Sequence, residues 1–174
     1  LVGTSPLLLH HISRHQLREK IASQGGASKS LKDEAREVML IDGDGNPIVS
    51  ADWLLDAIRV ACGRIVIDGK QLSFFSISST TRFTENSFVL RDTDNHDPEW
   101  TVYASSQHAQ PGSKKLIAVV APQFSDWMID AKVIVYGEFP DNTLLQRIFN
   151  EAGRVGIGLF HPPKKHFGQF RVSS

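Results

Sequence analysis

The stretch SADWLLDAIRVACG, residues 50–63, places Leu54, Leu55, Ile58, Ala61 and Cys62 at the spacing of one helix face. Ser50 suits the N-cap, Asp52 complements the positive end of the helix in its first turn, and Gly63 supplies a stop. A second segment of the same kind, DNTLLQRIFNEAG, residues 141–153, sets Leu144, Leu145, Ile148, Phe149 and Ala152 on one side. Asp141 stands at its N-cap and Gly153 at the expected end. Strand patterns lie outside these two helices. GTSPLLLH reads as a first strand with a turn-like start. EWTVYASSQ and KKLIAVVAP read as strands either side of the turn HAQPGS. DAKVIVYG and the closing FGQFRV complete the set. LSFFSIS and FVLRD read as shorter strands of an inserted β region spanning about residues 66–113. Without that insertion the order is strand, helix, strand, strand, helix, strand. This predicts an α+β, ferredoxin-like (βαββαβ, RRM-like) antiparallel sheet with its helices on one face.

The 174 residues suit a single domain with a core of its own. Hydrophobic residues make up 41% and charged residues 22%, the balance of an ordinary folded chain. No apolar run approaches the roughly 20 residues of a membrane span. The opening LVGTSPLLLHHISRH has no basic region ahead of its apolar stretch, so neither a signal peptide nor a membrane partner is expected. A lone cysteine, Cys62, excludes an intrachain disulfide and a multi-cysteine zinc site and suits a cytoplasmic setting. Its apolar surroundings predict core packing.

Nineteen Lys and Arg balance nineteen Asp and Glu, yet the charge is not evenly spread. Residues 1–32 carry Arg14, Arg18, Lys20, Lys29 and Lys32 against Glu19, a net +4. Residues 152–174 carry Arg154, Lys164, Lys165 and Arg171 with no acid, again +4, which leaves −8 to the middle. In a ferredoxin-like sheet the first and last strands are antiparallel neighbours. The segment His10–Lys20 and the loop Arg154–His166 are therefore expected to meet at one edge as a single basic patch.

The tail GRVGIGLFHPPKKHFGQFRVSS, residues 153–174, supplies the candidate chemistry. Gly156 and Gly158 allow a ligand to come close to the backbone, and Lys164 and Lys165 suit phosphate oxygens. His161, His166 and Phe167 suit hydrogen bonding to bases or stacking on them. The competing reading is a helix-to-strand connection in which glycine makes the turns and proline stiffens the chain. Residues 11–37 are polar, with a helix-like SLKDEAREVML after GG at 25–26, and are expected to be partly mobile.

Other motifs reduce to structure. DGDGN, residues 42–46, opens like a calcium loop, but Pro47 and Trp53 occupy the places that require Gly and Glu, which leaves a tight turn. His10, His11 and His15 have no accompanying carboxylate cluster, so no metal and no cofactor are expected. Trp100, Phe124 and Trp127 flank strands and are read as packing residues. No nucleophile elbow, phosphate-binding loop or dinucleotide fingerprint is present.

EVMLIDGDGNPIVSADWLLDAIRVA, residues 37–61, resembles the part of the RAMP superfamily in which a turn and a short apolar strand lead into a helix. GIGLFHPPKKHFGQFRV, residues 156–172, resembles that superfamily's glycine-rich C-terminal loop, a G-x-G followed by a further Gly on the last strand. The helix start IVSADW lacks the superfamily's glycine, and Arg59 alone matches its basic helix residue. The two ends also resemble small phage or prophage proteins of this layout.

The resemblance implies a ferredoxin-like RNA-binding subunit of a CRISPR effector complex. Gly156, Gly158, Gly168 and the neighbouring cations would contact the RNA backbone, with a role in antiviral defence. The expected function is non-catalytic binding of single-stranded RNA or DNA by a homo-oligomer or a subunit of a ribonucleoprotein complex. Its contact set is Arg14, Arg18, Lys20, Arg59, Arg154, Gly156, Gly158, His161, Lys164, Lys165, His166, Phe167 and Gly168. Two alternatives differ in class. One is an interaction protein, such as a phage assembly factor or a mimic docking on a RAMP-type complex. The other is a metal-dependent ribonuclease using His10, His11 or Asp33.

Overall fold

The computed structural model describes residues 1–9, 30–108, 116–159 and 166–173. The chain is α+β, with antiparallel sheets and, among the described residues, four helices. The strands are β1 (Val2–Gly3), β2 (Leu7–Leu8), β3 (Ile48–Ser50), β4 (Val66–Ile67), β5 (Lys70–Gln71), β6 (Thr81–Phe83), β7 (Ser87–Arg91), β8 (Thr101–His108), β9 (Leu116–Phe124), β10 (Met128–Ile129), β11 (Val133–Val135) and β12 (Phe170–Arg171). The helices are α1 (Leu31–Glu37), α2 (Ala51–Cys62), α3 (Phe74–Thr80) and α4 (Asn142–Val155).

The main sheet has five strands in the order β12-β1-β10-β7-β3, each antiparallel to its neighbours. A three-stranded sheet, β2-β9-β8, is built on the long β8–β9 hairpin, and β6 pairs with β11. The first and last strands are antiparallel neighbours as expected, with Val2 opposite Arg171 and Gly3 opposite Phe170.

Local chemistry accounts for both long helices. Ser50 Oγ accepts the Asp52 amide of α2, and the Asp141 carboxylate accepts the Leu144 amide of α4 at 2.7 Å. Leu54, Ile58, Ala61 and Cys62 of α2 and Ile148 and Ala152 of α4 enter one core with Val49, Phe88, Leu90 and Phe124. Burying each large aliphatic side chain there contributes about 1.5–3 kcal/mol. The two helices pack on each other, and α4 also packs on β12. The shorter α1 rests on the β8–β9 hairpin, with Lys32 Nζ 5.7 Å from the centroid of the Trp100 ring.

Three expectations need correction. GTSPLLLH holds the end of β1 and all of β2, which lie in different sheets because the chain bends at Thr4–Ser5 between them. LSFFSIS from Phe74 onward belongs to helix α3 and not to a strand. Ile77 goes into the core and Phe74 packs beside it, three residues apart on one helical face, while Phe75 is left 79% exposed. Helix α4 runs past Gly153 to Val155 and ends at Gly156, whose φ is +80°. Gly153 is needed for a different reason: a Cβ there would fall on the carbonyl oxygen of Phe170, so the missing side chain lets β12 lie against the helix.

Phe124 and Trp127 are buried, in line with the packing reading, and Trp100 is partly buried against the core. DGDGN is a closed turn in which the Asp42 carboxylate accepts the amides of Asp44 and Asn46 and the side-chain amide of Asn46. These hydrogen bonds, above all the one from the Asn46 side chain, hold the Asp42 carboxyl below its ordinary pKa.

Alanine normally stabilises a helix interior relative to glycine. Gly153→Ala should do the opposite and cost about 2 kcal/mol or more through the overlap with Phe170. Gly43→Ala, where a Cβ meets nothing, should stay within about 0.5 kcal/mol of the parent in urea unfolding. Cys62 is buried, and burial raises its thiol pKa. An aromatic disulfide reagent should therefore label it roughly a hundredfold more slowly in the native chain than in denaturant.

Candidate nucleic-acid interface

A corner of backbone hydrogen bonds ties the beginning of the chain to its end. The Gly168 amide donates to Pro6 O at 2.7 Å, and the Gln169 amide donates to Ser5 Oγ at 2.9 Å. The Thr4 amide donates to Gln169 O at 2.8 Å. Further along, the Leu159 amide donates to Leu8 O at 3.0 Å and the Ile157 amide to Gly168 O at 2.9 Å. Residues 10 and 160, where the two basic segments leave the described structure, therefore follow directly on neighbouring backbone at Leu9 and Leu159.

Glycine is required where these segments cross. Gly158 has φ +77°, and a Cβ on it would stand 2.6 Å from Leu8 O and 2.9 Å from Leu7 Cδ1. Gly168 has φ +68°, and a Cβ on it would overlap Ile157 O. A side chain at either position is excluded both by the left-handed backbone and by the touching chain.

The amides of Gly156, Ile157, Leu159 and Gly168 all donate within the fold, Gly156 to Ala152 O at 2.9 Å. Those four amides are therefore committed to the protein's own chain. Phe167 is half-buried and meets Tyr103 edge-on at 5.4 Å between ring centroids, so it ties the C-terminal segment to the β8–β9 hairpin. His166 beside it is exposed.

Arg154 is exposed near the end of α4 and pairs with Glu151 at 3.0 Å. Its carbonyl accepts the Gln169 side-chain amide at 3.2 Å, which joins the helix end to the corner. Arg59 is placed elsewhere: on α2 it pairs with Asp56 at 2.8 Å and lies 4.9 Å from the centroid of the Phe74 ring on α3. Arg14, Arg18, Lys20, His161, Lys164 and Lys165 lie outside the described residues, as do His10, His11 and His15. Asp33 is occupied in capping α1, accepting from Ser30 Oγ at 2.6 Å while Ser30 Oγ accepts the Asp33 amide. Among the described residues no group of three or more His, Cys, Asp or Glu is arranged to hold a metal, and no helix is long and apolar enough to cross a membrane.

Two cations, Arg147 and Arg64, escaped the sequence reading. Arg147 lies seven residues before Arg154 on α4 and so falls on the same helical face. Arg64, just past α2, reaches Glu151 at 3.3 Å. The seven-residue spacing was a legible signal; the approach of Arg64 depends on how α2 and α4 pack. Comparison with protein-family models, curated proteins and solved structures finds no match to this chain.

With Phe167 serving as a packing residue, Phe167→Ala should lower unfolding free energy by about 1–2 kcal/mol, less than the roughly 3–5 kcal/mol of a fully buried Phe→Ala truncation because the ring is only half-buried. Urea unfolding of the two proteins without ligand measures this directly. An unchanged midpoint would return Phe167 to the set of side chains free to stack on bases.

Proposed function

We propose that this chain is a non-catalytic, single-stranded nucleic-acid-binding protein, RNA being the expected ligand, with a RAMP-like, ferredoxin-type arrangement. The observation that carries this reading is the corner at which Leu159 bonds to Leu8 and Gly168 bonds to Pro6. It launches the two acid-poor, basic stretches of the sequence from one place. On this reading, charge separated by more than a hundred residues in sequence would act as a local positive footprint on a neutral protein.

The sheet order supports the fold half of the proposal. If β1, α2, β7, β10, α4 and β12 are the six units of a βαββαβ motif, their strands run last, first, third, second across an antiparallel sheet. On this assignment β3 adds an outer strand, the β8–β9 hairpin is inserted between the second and third strands, and the two helices packed on each other belong to one layer. Assembly into a homo-oligomer or ribonucleoprotein complex in the cytoplasm would multiply weak single sites along a strand. In the RAMP-like form of the proposal the complex is a CRISPR-type effector.

Phosphate contact falls to Lys164, Lys165, Arg154 and the cations of residues 14–20, since the glycine-loop amides are committed internally. Those committed amides and the exposed Phe75, Ile134, Tyr136 and Phe139 favour a second reading, an interaction protein whose basic corner meets another protein.

Binding of fluorescent single-stranded RNA, and of DNA of equal length, at two salt concentrations separates these readings. The nucleic-acid reading expects RNA binding that weakens with salt as if about three to six phosphates were neutralised, and loss of binding in Lys164→Glu/Lys165→Glu. No binding at low salt, or binding indifferent to that double substitution, would replace it with the protein-docking reading.

A further inference from the structure

A groove of about 430 Å³ opens on the outer side of α4 where the turn after α2 comes alongside. Its polar lining includes Arg64, Gln146, Arg147, Asn150, Glu151 and Arg154. Three guanidinium groups against one carboxylate leave the lining at a net +2. Glu151 is more sequestered than Arg64 or Arg154. Its side chain is 18% exposed, and its two oxygens take different arginines, Arg64 at 3.3 Å and Arg154 at 3.0 Å. One carboxylate thus fixes two guanidinium groups from different elements at the rim. Arg147, one turn earlier on α4, has no acidic partner among the described residues.

We infer that this groove is a binding site for phosphate groups, formed by Arg64, Arg147 and Arg154 with Gln146 and Asn150 as neutral hydrogen-bonding partners. Guanidinium groups present planar, paired N–H donors that match two oxygens of a phosphate, and they remain charged at every relevant pH. Arg64 and Arg154 keep donors after a single contact each to Glu151, because a guanidinium carries five, and Arg147 makes no such contact. Glu151 itself disfavours an anion. Held between Arg64 and Arg154, it is already neutralised, and the charge that remains to attract a ligand is that of Arg147 and half of the pair.

The same chemistry is offered by two sources: a small phosphate or pyrophosphate compound, and the backbone of a nucleic-acid strand. Because Arg154 is also joined through Gln169 to the corner that launches the basic segments, a strand held there would continue along α4. That route rests on the nucleic-acid reading above, whereas binding of small phosphates does not.

The test uses the full chain and three probes: inorganic phosphate, pyrophosphate and a short single-stranded RNA, titrated by calorimetry at low salt. The proteins are the parent, Arg147→Ala, Arg64→Ala/Arg154→Ala and Lys164→Glu/Lys165→Glu. Arg147→Ala should weaken pyrophosphate by roughly tenfold, the loss expected of one charge-assisted contact. The Arg64/Arg154 variant should weaken it at least as much. Retention of pyrophosphate by the Lys164/Lys165 variant, with or without RNA binding, supports a site for small phosphates. Weakening of RNA alone by the arginine substitutions supports a backbone track. Chloride in place of phosphate at equal ionic strength should produce no heat. If none of the three probes responds to either arginine variant, the inference is overturned, including when RNA binding survives through the lysines. A circular dichroism spectrum and an unfolding midpoint matching the parent would show that the exposed arginine variants are folded.

Discussion

The contact on which the rest of this structure depends is the seat of Trp127. Its indole is 1% exposed, its Nε1–H donates to Ser5 O at 2.8 Å, and its ring faces Phe170 edge-on at 6.5 Å. It lies so close over Gly3 that any side chain there would overlap the ring. One side chain thus ties β1, β12 and the entry to β10, which are neighbouring strands of the main sheet and come from opposite ends of the chain. The bond to Ser5 O also satisfies the indole donor, whose burial unpaired would cost on the order of 1–3 kcal/mol. With Gly3 and Trp127 in register, Ser5 and Pro6 are presented to Gln169 and Gly168, and the corner follows.

The same economy of space governs the C-terminal segment. Gly153 lets β12 touch α4, Gly158 lets the loop touch β2, and Gly168 lets the chain fold back on Ile157. A glycine-rich loop invites the idea of a backbone wrapped around an anion, but the closest approach at each of these three glycines is to the protein's own chain. Glycine permits close contact without specifying what is contacted. The internal use of the Gly156, Ile157, Leu159 and Gly168 amides follows from that, and it moves any anion chemistry to side chains.

Charge is organised on two levels. The ends of the sequence are basic and the middle is acidic, so the net charge of zero hides an uneven distribution along the chain. On α4 the arrangement is finer. Glu151 lies between Arg64 and Arg154, and Arg147 sits one turn away with no acidic partner among the described residues. Exposed ion pairs of this kind add little stability, about 0–1 kcal/mol. Their consequence here is positional, since a carboxylate mostly out of solvent limits where two arginines can point.

Much of the scaffold was legible from local pattern. Helices α2 and α4 announce themselves through apolar spacing and through Ser50 and Asp141 at their caps, and these signals act within one or two turns of chain. The β8–β9 hairpin and β7 follow from β-branched and aromatic runs, and the DGDGN turn follows from side chains that bond to their own backbone. Cys62 could be assigned to packing because the residues around it in sequence are apolar, and Phe124 and Trp127 because they flank strands. Where local and distant forces compete, sequence was not enough. Phe74–Thr80 has strand-like composition, yet core packing of Ile77 draws it into a helix, and LLLH is cut off from GTSP because β9 claims Leu7 and Leu8 for a second sheet. The role of each glycine was equally hidden: a residue without a side chain carries no mark of its neighbour, and Phe170, Leu8 and Ile157 become neighbours only on folding. The meeting of Arg64 with Arg154 has the same origin. Capping and periodicity are properties of a short segment and are written in it, whereas close approach and charge convergence are properties of two segments and exist only once the sheet has brought them together.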